Sequence, residues 1–298
     1  MEVDVSIITI NYNGLEDTCA LIESIPFCDG MEVIVVDNAS HNDEASIIAQ
    51  RFSQVYVVRS DKNKGFAGGN NLGIKAAHGR YLFFINNDTL FVGTDSEKRT
   101  AINGLVTRLD LDSKIGVVCP KIRFYWGKHP IQYAGYTPLS PITLRNRSVG
   151  FNEEDYGQYD VAHTTPYAHG AAMMVKREVI EKVGLMPECF FLYYEELDWS
   201  MMIRRAGYQL WYDPCCTVFH KESQSTGQNS PLRTYYITRN RLLFAQRNIG
   251  FPKKYLSYCY LIGVVGIRDV LKYLLRGENK LSGSIIRGIR DFLKHSHN

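Results

Sequence analysis

Short hydrophobic runs alternate with segments of helical spacing along the first part of the chain. The runs predict strands over residues 3–10, 32–36, 55–58 and 81–85, because they are rich in β-branched and aromatic side chains. The segments between them predict helices over residues 15–25, 42–52 and 72–77. This strand–helix–strand alternation predicts an α/β fold with a parallel, doubly wound sheet.

The run at residues 81–85 is the most hydrophobic of these strands, and polar residues follow it directly. Its unbroken apolar character fits a strand that is buried on both faces. Ligands of open α/β sheets collect beyond the carboxyl ends of such strands, where Asn86, Asn87 and Asp88 lie. Their oxygens suit Mg²⁺ or Mn²⁺. Read alone, the same residues also fit an Asx turn after a core strand.

The second half of the chain predicts a more interrupted structure. Residues 124–167 lack periodicity, which is typical of a functional loop region or a variable connection. The other predicted elements are helices over residues 93–112, 178–183 and 195–206, strands over 115–120 and 167–177, and an edge strand over 208–218 that Pro214 interrupts. Residues 256–275 and 285–293 each have one apolar face dotted with Lys and Arg, which predicts amphipathic C-terminal helices.

Composition narrows the class of protein. The 298 residues are 45% hydrophobic and 22% charged, as in a globular α/β domain with or without an appendage. The net charge of +3 is too small to imply nucleic acid as a partner. The seven cysteines lack paired CxxC spacing, so we expect a reducing cytosol rather than a zinc site or disulfides. We see no signal peptide, and no apolar run reaches the ~20 residues that a membrane-spanning helix needs.

Two features of the first half favour a nucleotide ligand. An acid at the end of the second strand commonly hydrogen-bonds a nucleotide, so Asp37 is a candidate, with an Asx turn as the alternative. The glycine fingerprint of dinucleotide enzymes is missing after the first strand, which disfavours that class. Instead, the glycine-rich residues 63–73 (NKGFAGGNNLG) are predicted to present backbone N–H groups and Lys64 to an anion at a helix N-terminus.

Three acids, Glu195, Glu196 and Asp198, follow the aromatic residues 190–194. Acids are common in the first turn of a helix because they interact favourably with its dipole, and this is the structural explanation. A carboxylate beside bulky apolar side chains also has its pKa raised, which suits a general base. The segment is therefore a candidate catalytic site.

Several stretches together resemble a known family. They are residues 6–14 (SIITINYNG), 35–40 (VVDNAS), 63–73 and 86–89 (NNDT). In this order they resemble the inverting family 2 glycosyltransferases, especially the bacterial rhamnosyltransferase-like branch. The resemblance implies a GT-A fold, with a mostly parallel central sheet flanked by helices. It divides residues 1–250 into a nucleotide-sugar-binding half (1–120) and an acceptor-binding, catalytic half (121–250), followed by the C-terminal helices (251–298).

The resemblance also implies a role for each candidate residue. Asp37 matches the acid that contacts the base, and Asp88 matches the metal-binding Asp, although Asn86 and Asn87 replace the acids that precede it. His220 matches a histidine that completes the metal coordination. Further donor-binding candidates are Thr9, Asn11, Tyr12, Asn13, Lys64, Gly65, Gly69, Asn70, Asn86 and Asn87.

The acidic segment resembles the family signature Tyr-Tyr-Glu-Asp-x-Asp, whose second acid deprotonates the acceptor hydroxyl. That position is Glu196 here, with Asp198 as the second choice of base and Glu195 in support. Other positions are expected near the donor: His169 (in the sugar pocket, or else structural), Ser225 and Thr226 (near the diphosphate), and Arg239 and Arg241 (near phosphate).

The resemblance thus implies a hexosyltransferase of surface polysaccharide synthesis, with Mg²⁺ or Mn²⁺ as cofactor. The implied partners are a nucleotide-diphosphate sugar, either dTDP-rhamnose or a UDP- or GDP-sugar, and a glycan or lipid-linked oligosaccharide acceptor. We expect a cytoplasmic protein whose C-terminal helices either contact the inner face of the membrane or pack on the catalytic domain or a second subunit in a homodimer. A nucleotidyltransferase and a non-catalytic nucleotide-sugar-binding protein are the competing hypotheses.

Overall fold

The computed structural model describes residues 3–222 and 230–295, and its centre is a ten-stranded sheet. The strands are β1 (Val5–Asn11), β2 (Met31–Asp37), β3 (Val55–Arg59), β4 (Tyr81–Ile85), β5 (Thr89–Phe91), β6 (Ile115–Phe124), β7 (Ile131–Tyr133), β8 (His163–Thr165), β9 (Ala172–Lys176) and β10 (Gln209–His220). The helices are α1 (Leu15–Ser24), α2 (Glu44–Arg51), α3 (Gly65–Ala76), α4 (Asp95–Asp110), α5 (Arg177–Val183), α6 (Glu195–Arg205), α7 (Pro231–Asn248), α8 (Lys253–Tyr258), α9 (Ile267–Leu275) and α10 (Asn279–His295). A π-helical stretch, Cys259–Gly266, joins α8 to α9.

The sheet is parallel in its first half and mixed in its second. Its order is β3-β2-β1-β4-β9-β6-β10-β5, and the pairs among β1 to β4 are all parallel. β9 runs antiparallel to both β4 and β6, and β10 runs parallel to β6 and antiparallel to β5. The α/β class is confirmed, but the sheet is not parallel throughout: the parallel pairs are those among β1 to β4 and the pair of β6 with β10. The alternation of strands and helices along the chain does not determine the direction of a strand that follows a long irregular connection.

The glycine-rich segment is a helix and not the predicted loop. α3 begins at Gly65, whereas the sequence predicts a start at residue 72. A Cβ on Gly73 would lie 2.4 Å from Ile8 Cγ2, and one on Gly69 would lie 2.8 Å from Ile10 Cδ1. The glycines therefore let α3 pack closely on β1, and this packing outweighs the ~0.5–1 kcal/mol that each glycine costs inside a helix.

β10 is an interior strand, which corrects the prediction of an edge strand. It pairs with β6 along its length and with β5 and β8 on its other side. Pro214 is accommodated because the pairing register with β6 shifts between Asp213 and Thr217. A proline that cannot donate a ladder hydrogen bond fits such an irregularity as well as it fits an edge.

The C-terminal helices are attached through a second hydrophobic cluster, separate from the main core of the sheet. Its buried members include Phe190 before α6, Leu242 and Phe244 of α7, Leu261 of the π-helical stretch and Phe292 of α10. α7 begins at Pro231, where the Ser230 side chain accepts a hydrogen bond from the Arg233 N–H. In the described ranges, every helix is too short or too polar to span a membrane.

Candidate active site

A cavity of about 510 Å³ opens beyond the carboxyl ends of β1, β2 and β4, at the place where ligands of open α/β sheets bind. It is lined by the strand ends, the start of α3 and the segment before α6. Of the sequence candidates, Tyr12, Asn13, Gly65, Asn70, Asn86, Asn87 and Asp88 line it, together with Ile10, Gly14, Asp17, Asn38, Asn63, Phe66, Ile85, Phe191, Leu192 and Leu232. The other candidates are not among the lining residues: Thr9, Asn11, Asp37 and Gly69 are buried, and Lys64 is half-buried.

Asn11 holds Asp37 in place behind the cavity wall. The Asn11 amide nitrogen donates to Asp37 Oδ1 (2.9 Å) and to Glu44 Oε2 (2.8 Å), so it links the ends of β1 and β2 to α2. The Ser40 hydroxyl also donates to Asp37 Oδ1, at 2.6 Å. The structure therefore makes Asn11 a buried positioning residue and fixes the Asp37 carboxylate at the end of β2.

Asn38 and Asn63 line the cavity, and the sequence reasoning missed both. Asn38 accepts from the Lys64 N–H (2.9 Å) and donates to Asn63 Oδ1 (3.1 Å), and Asn63 accepts from the Gly65 N–H (2.8 Å). The Phe66 N–H donates to the carbonyl of Phe191. These backbone donors at the start of α3 are thus already paired, which differs from the predicted anion cradle. Their adjacency to Asp37 and Lys64 is the signal that could have identified both asparagines.

Gly65 brings α3 against the segment that precedes α6. It has φ +70°, and a Cβ there would lie 2.0 Å from the Phe191 carbonyl oxygen. Phe191, Tyr193 and Tyr194 also have positive φ, at 67°, 67° and 78°. Side chains larger than glycine rarely adopt this region, so the segment depends on surrounding contacts to keep its shape.

Asp88 and His220 meet at the edge of the cavity. Asp88 Oδ1 lies 3.1 Å from His220 Nε2, and both side chains are buried. The other ring nitrogen of His220, Nδ1, lies 2.8 Å from Gln132 Oε1, an acceptor, so the tautomer with the proton on Nδ1 satisfies this contact. In that tautomer Nε2 presents a lone pair towards a carboxylate oxygen.

This arrangement fits a divalent cation. His220 Nε2 has no hydrogen-bond partner among the described residues, although it is buried. A lone pair and a carboxylate oxygen that face each other need a cation or a proton between them. No cluster of three or more His, Cys, Asp or Glu side chains suited to a metal occurs in the described ranges, as expected where Asn86 and Asn87 replace acids.

Two carboxyl groups begin α6, the buried Glu195 and the half-buried Glu196. Burial, and then the neighbouring Glu196, raises the pKa of Glu195 well above its usual range, and its Oε2 has no hydrogen-bond partner in the described chain. Burial also raises the pKa of Glu196. A Cβ on Gly170 would lie 3.7 Å from both Glu196 Cγ and the tip of the Phe66 ring. Glu196 and the cavity-lining Phe66 thus both approach Gly170, although Glu195 and Glu196 are not themselves among the lining residues.

Asp198 is placed differently from its predicted role as the second choice of base. Its carboxylate is 1% exposed and forms an ion pair with Arg247 of α7, with Nη2 to Oδ2 at 2.9 Å. Asn248 donates to its other oxygen at 2.5 Å. In this position Asp198 anchors α7 on α6.

The remaining candidates lie away from the cavity or outside the described residues. Arg239 donates to the carbonyls of residues 189 and 190, and Arg241 donates to the carbonyl of Thr143, so neither matches the expected phosphate contact. His169 stacks on Tyr136, and burial lowers its pKa to about 3, so its ring is neutral. Ser225 and Thr226 lie outside the described residues.

Comparison with known proteins gives the family. The family model described as Glycosyl transferase family 2 matches residues 6–184, more than half of the chain. Agl10 of Haloferax volcanii, a low-salt glycan biosynthesis hexosyltransferase, is 29% identical over 80% of this chain and 75% of its own. RfbF of Shigella flexneri, a dTDP-rhamnosyl transferase, is 24% identical over 83% of this chain and 82% of its own.

Solved structures give the fold. The mannosyltransferase PcManGT from Pyrobaculum calidifontis, in complex with GDP-Man and Mn²⁺, has a TM-score of 0.59 and 16% identity, over 98% of this chain and 88% of that one. GalNAc-T7 with UDP, GalNAc and Mn²⁺ has a TM-score of 0.62 and 15% identity, over 91% of this chain and 58% of that one. The chain belongs to glycosyl transferase family 2 and is a glycosyltransferase of the GT-A fold that uses a nucleotide-sugar donor.

Proposed function

We propose that the chain is an inverting glycosyltransferase in which Glu196 removes the proton of the acceptor hydroxyl. The observation that carries this proposal is the carboxyl pair at the start of α6, the buried Glu195 and the half-buried Glu196, both with a raised pKa. Glu196 and the cavity-lining Phe66 both approach Gly170. A raised pKa brings a carboxylate closer to the operating pH, at which a general base works best. Glu195 is the more buried of the two, and burial and the neighbouring Glu196 raise its pKa, so it is proposed to support the site while Glu196 takes the proton.

The reaction is a single displacement. The acceptor oxygen bonds to the anomeric carbon while the bond from that carbon to the diphosphate breaks, so the configuration inverts. The hydroxyl proton goes to Glu196, and the electron pair of the broken bond stays on the diphosphate. No covalent sugar–enzyme intermediate forms.

The donor is proposed to lie along the carboxyl ends of β1 and β2. There Tyr12 and Asn13 line the cavity. Asp37, fixed by Asn11 behind that lining, is proposed to contact the nucleotide base. dTDP-rhamnose is the leading donor, supported by the likeness to RfbF, and a UDP- or GDP-sugar is the alternative. The acceptor is proposed to be a glycan or lipid-linked oligosaccharide, in line with the glycan synthesis named for Agl10.

Asp88 and His220 are proposed to hold Mg²⁺ or Mn²⁺. His220 Nε2 lies 3.1 Å from Asp88 Oδ1 and has no hydrogen-bond partner among the described residues, which supports this assignment. When bound, the cation neutralises charge on the departing diphosphate. Because Asp88 is the acid of the Asn86-Asn87-Asp88 run, oxygens of the donor are expected to supply further ligands, as is usual for Mg²⁺.

The experiment is a nucleotide-release assay over a panel of dTDP-, UDP- and GDP-sugars, with and without Mn²⁺ or Mg²⁺. We expect release with one donor that depends on the cation. Release from no donor, with a cation present, would refute the enzyme assignment and favour a non-catalytic nucleotide-sugar-binding protein. In a separate reaction, formation of a nucleotide-diphosphate sugar and pyrophosphate from a nucleoside triphosphate and a sugar 1-phosphate would favour a nucleotidyltransferase.

A further inference from the structure

A row of apolar side chains runs along the outside of the C-terminal helices. α8, the π-helical stretch and α9 form one uninterrupted helical segment from Lys253 to Leu275. Six large aliphatic side chains on it are exposed, and we call them the apolar stripe: Leu256, Val264, Ile267, Leu271, Leu274 and Leu275. Leu275 is the most exposed of them, at 89%.

The stripe is a separate face from the one that packs on the protein. Ser257, Leu261 and Gly266 of the same segment are buried, and a Cβ on Gly266 would lie 3.1 Å from Ile289 Cδ1 of α10. Val264, Ile267, Leu271 and Leu274 follow one another at intervals of three or four residues, which places them on one side of the helix. A soluble protein rarely exposes so continuous an apolar row without a partner for it.

Positive charge accompanies the stripe. Residues 251–298 contain nine Lys or Arg against three Asp or Glu, whereas the whole chain carries only +3, so the rest of the chain is net negative. Lys272 and Arg276 are exposed and directly follow Leu271 and Leu275. An apolar row flanked by basic side chains is typical of a helix that lies in the interface of a membrane containing anionic lipids.

We propose that the apolar stripe docks on the surface of an anionic phospholipid bilayer, with the 253–275 segment lying parallel to it. Leu271 and Leu275 enter the headgroup–acyl boundary, and Lys272 and Arg276 contact lipid phosphates. This inference extends the proposed function, because it brings the active site to a lipid-linked acceptor. Charge favours a bilayer over a second copy of the chain as the partner of the stripe. The basic segment is attracted to anionic lipid, whereas two copies of it would repel each other.

The test is vesicle flotation of the full chain with phosphatidylglycerol-containing vesicles and with pure phosphatidylcholine vesicles. The stripe variant is Leu271→Gln/Leu275→Gln. The matched control is Ile47→Gln/Leu111→Gln, which removes two exposed apolar side chains from α2 and the end of α4. We expect the wild type and the control to float with anionic vesicles. The stripe variant should bind these vesicles at least tenfold more weakly than the wild type. A Lys272→Gln/Arg276→Gln variant should lose the preference for anionic vesicles.

Three outcomes would contradict the docking proposal. They are no flotation of the wild type, equal flotation of the stripe variant, or light scattering that shows a dimer for the wild type and a monomer for the stripe variant. Nucleotide release from the donor is measured in parallel without vesicles and should be unchanged in the stripe variant. Flotation without nucleotide release would leave the docking surface standing and count against the proposed function alone.

Discussion

Asn240 of α7 holds the strained segment that forms part of the cavity wall. It is completely buried, and its amide nitrogen donates to the carbonyls of Phe190 (2.8 Å), Leu192 (2.7 Å) and Tyr193 (2.9 Å). Its two amide hydrogens are thus shared among three acceptors. We predict that Asn240→Ala destabilises this segment and weakens donor binding.

The magnitude follows from which carbonyls lose their donor. Arg239 also donates to the Phe190 carbonyl, so the loss matters most at the carbonyl of Leu192. An unsatisfied buried polar group costs roughly 1–3 kcal/mol, so we expect Asn240→Ala to lower the free energy of unfolding by about 1–3 kcal/mol. The positive φ of Tyr193 makes relaxation of the segment the easiest response.

The assay is urea unfolding together with the Michaelis constant for the donor. Asn103→Ala is the matched control, because Asn103 is an exposed asparagine inside a helix. We expect the control to change the free energy of unfolding by less than about 0.5 kcal/mol. If Asn240→Ala were equally neutral and donor binding unchanged, the segment would hold its shape without α7 and the reasoning would be wrong.

Three further predictions concern the buried charges. Asp198→Asn breaks a buried ion pair with the half-exposed Arg247 and should cost about 2 kcal/mol of stability in thermal unfolding, while the folded fraction keeps its nucleotide release. Folding raises the pKa of Glu195, so the stability that the protonated carboxyl contributes is lost as pH rises through that pKa. Glu195→Gln should therefore raise the midpoint of urea unfolding at pH 7, and this gain should vanish near pH 4. Asp88→Asn and His220→Ala should each weaken Mn²⁺ binding, measured by calorimetry with the donor nucleotide present, and a normal affinity in both would rule out the assigned site.

The first half of the sheet could be predicted from the sequence, because the patterns that indicate its strands are local. Each of β1 to β4 is a hydrophobic run that ends in polar residues, and parallel strands bring those ends to one edge. Asn86, Asn87 and Asp88 therefore line the cavity at the end of β4, as the pattern predicts. The direction of β9 and the neighbours of β10 depend on long-range pairing, which local patterns do not contain.

Two errors had different physical causes. The segment 65–73 reads as a loop because glycine is a poor helix former, but contacts of Gly69 and Gly73 with β1 outweigh that propensity. The placement of Asp198 could have been predicted from the sequence. Asp198 follows Glu196 by two residues, which is roughly 200° around a helix. The two side chains therefore face opposite sides, and Asp198 meets Arg247 of α7.

The most direct test of the proposed mechanism compares Glu196→Gln with Asp198→Asn in a transfer assay with the identified donor and acceptor. If Glu196 is the general base, Glu196→Gln lowers kcat by about 10²–10⁴-fold. Donor affinity should be unchanged in that variant, and Asp198→Asn should keep the kcat of its folded fraction. Full activity of Glu196→Gln with loss of activity in Asp198→Asn would contradict the assignment of the base.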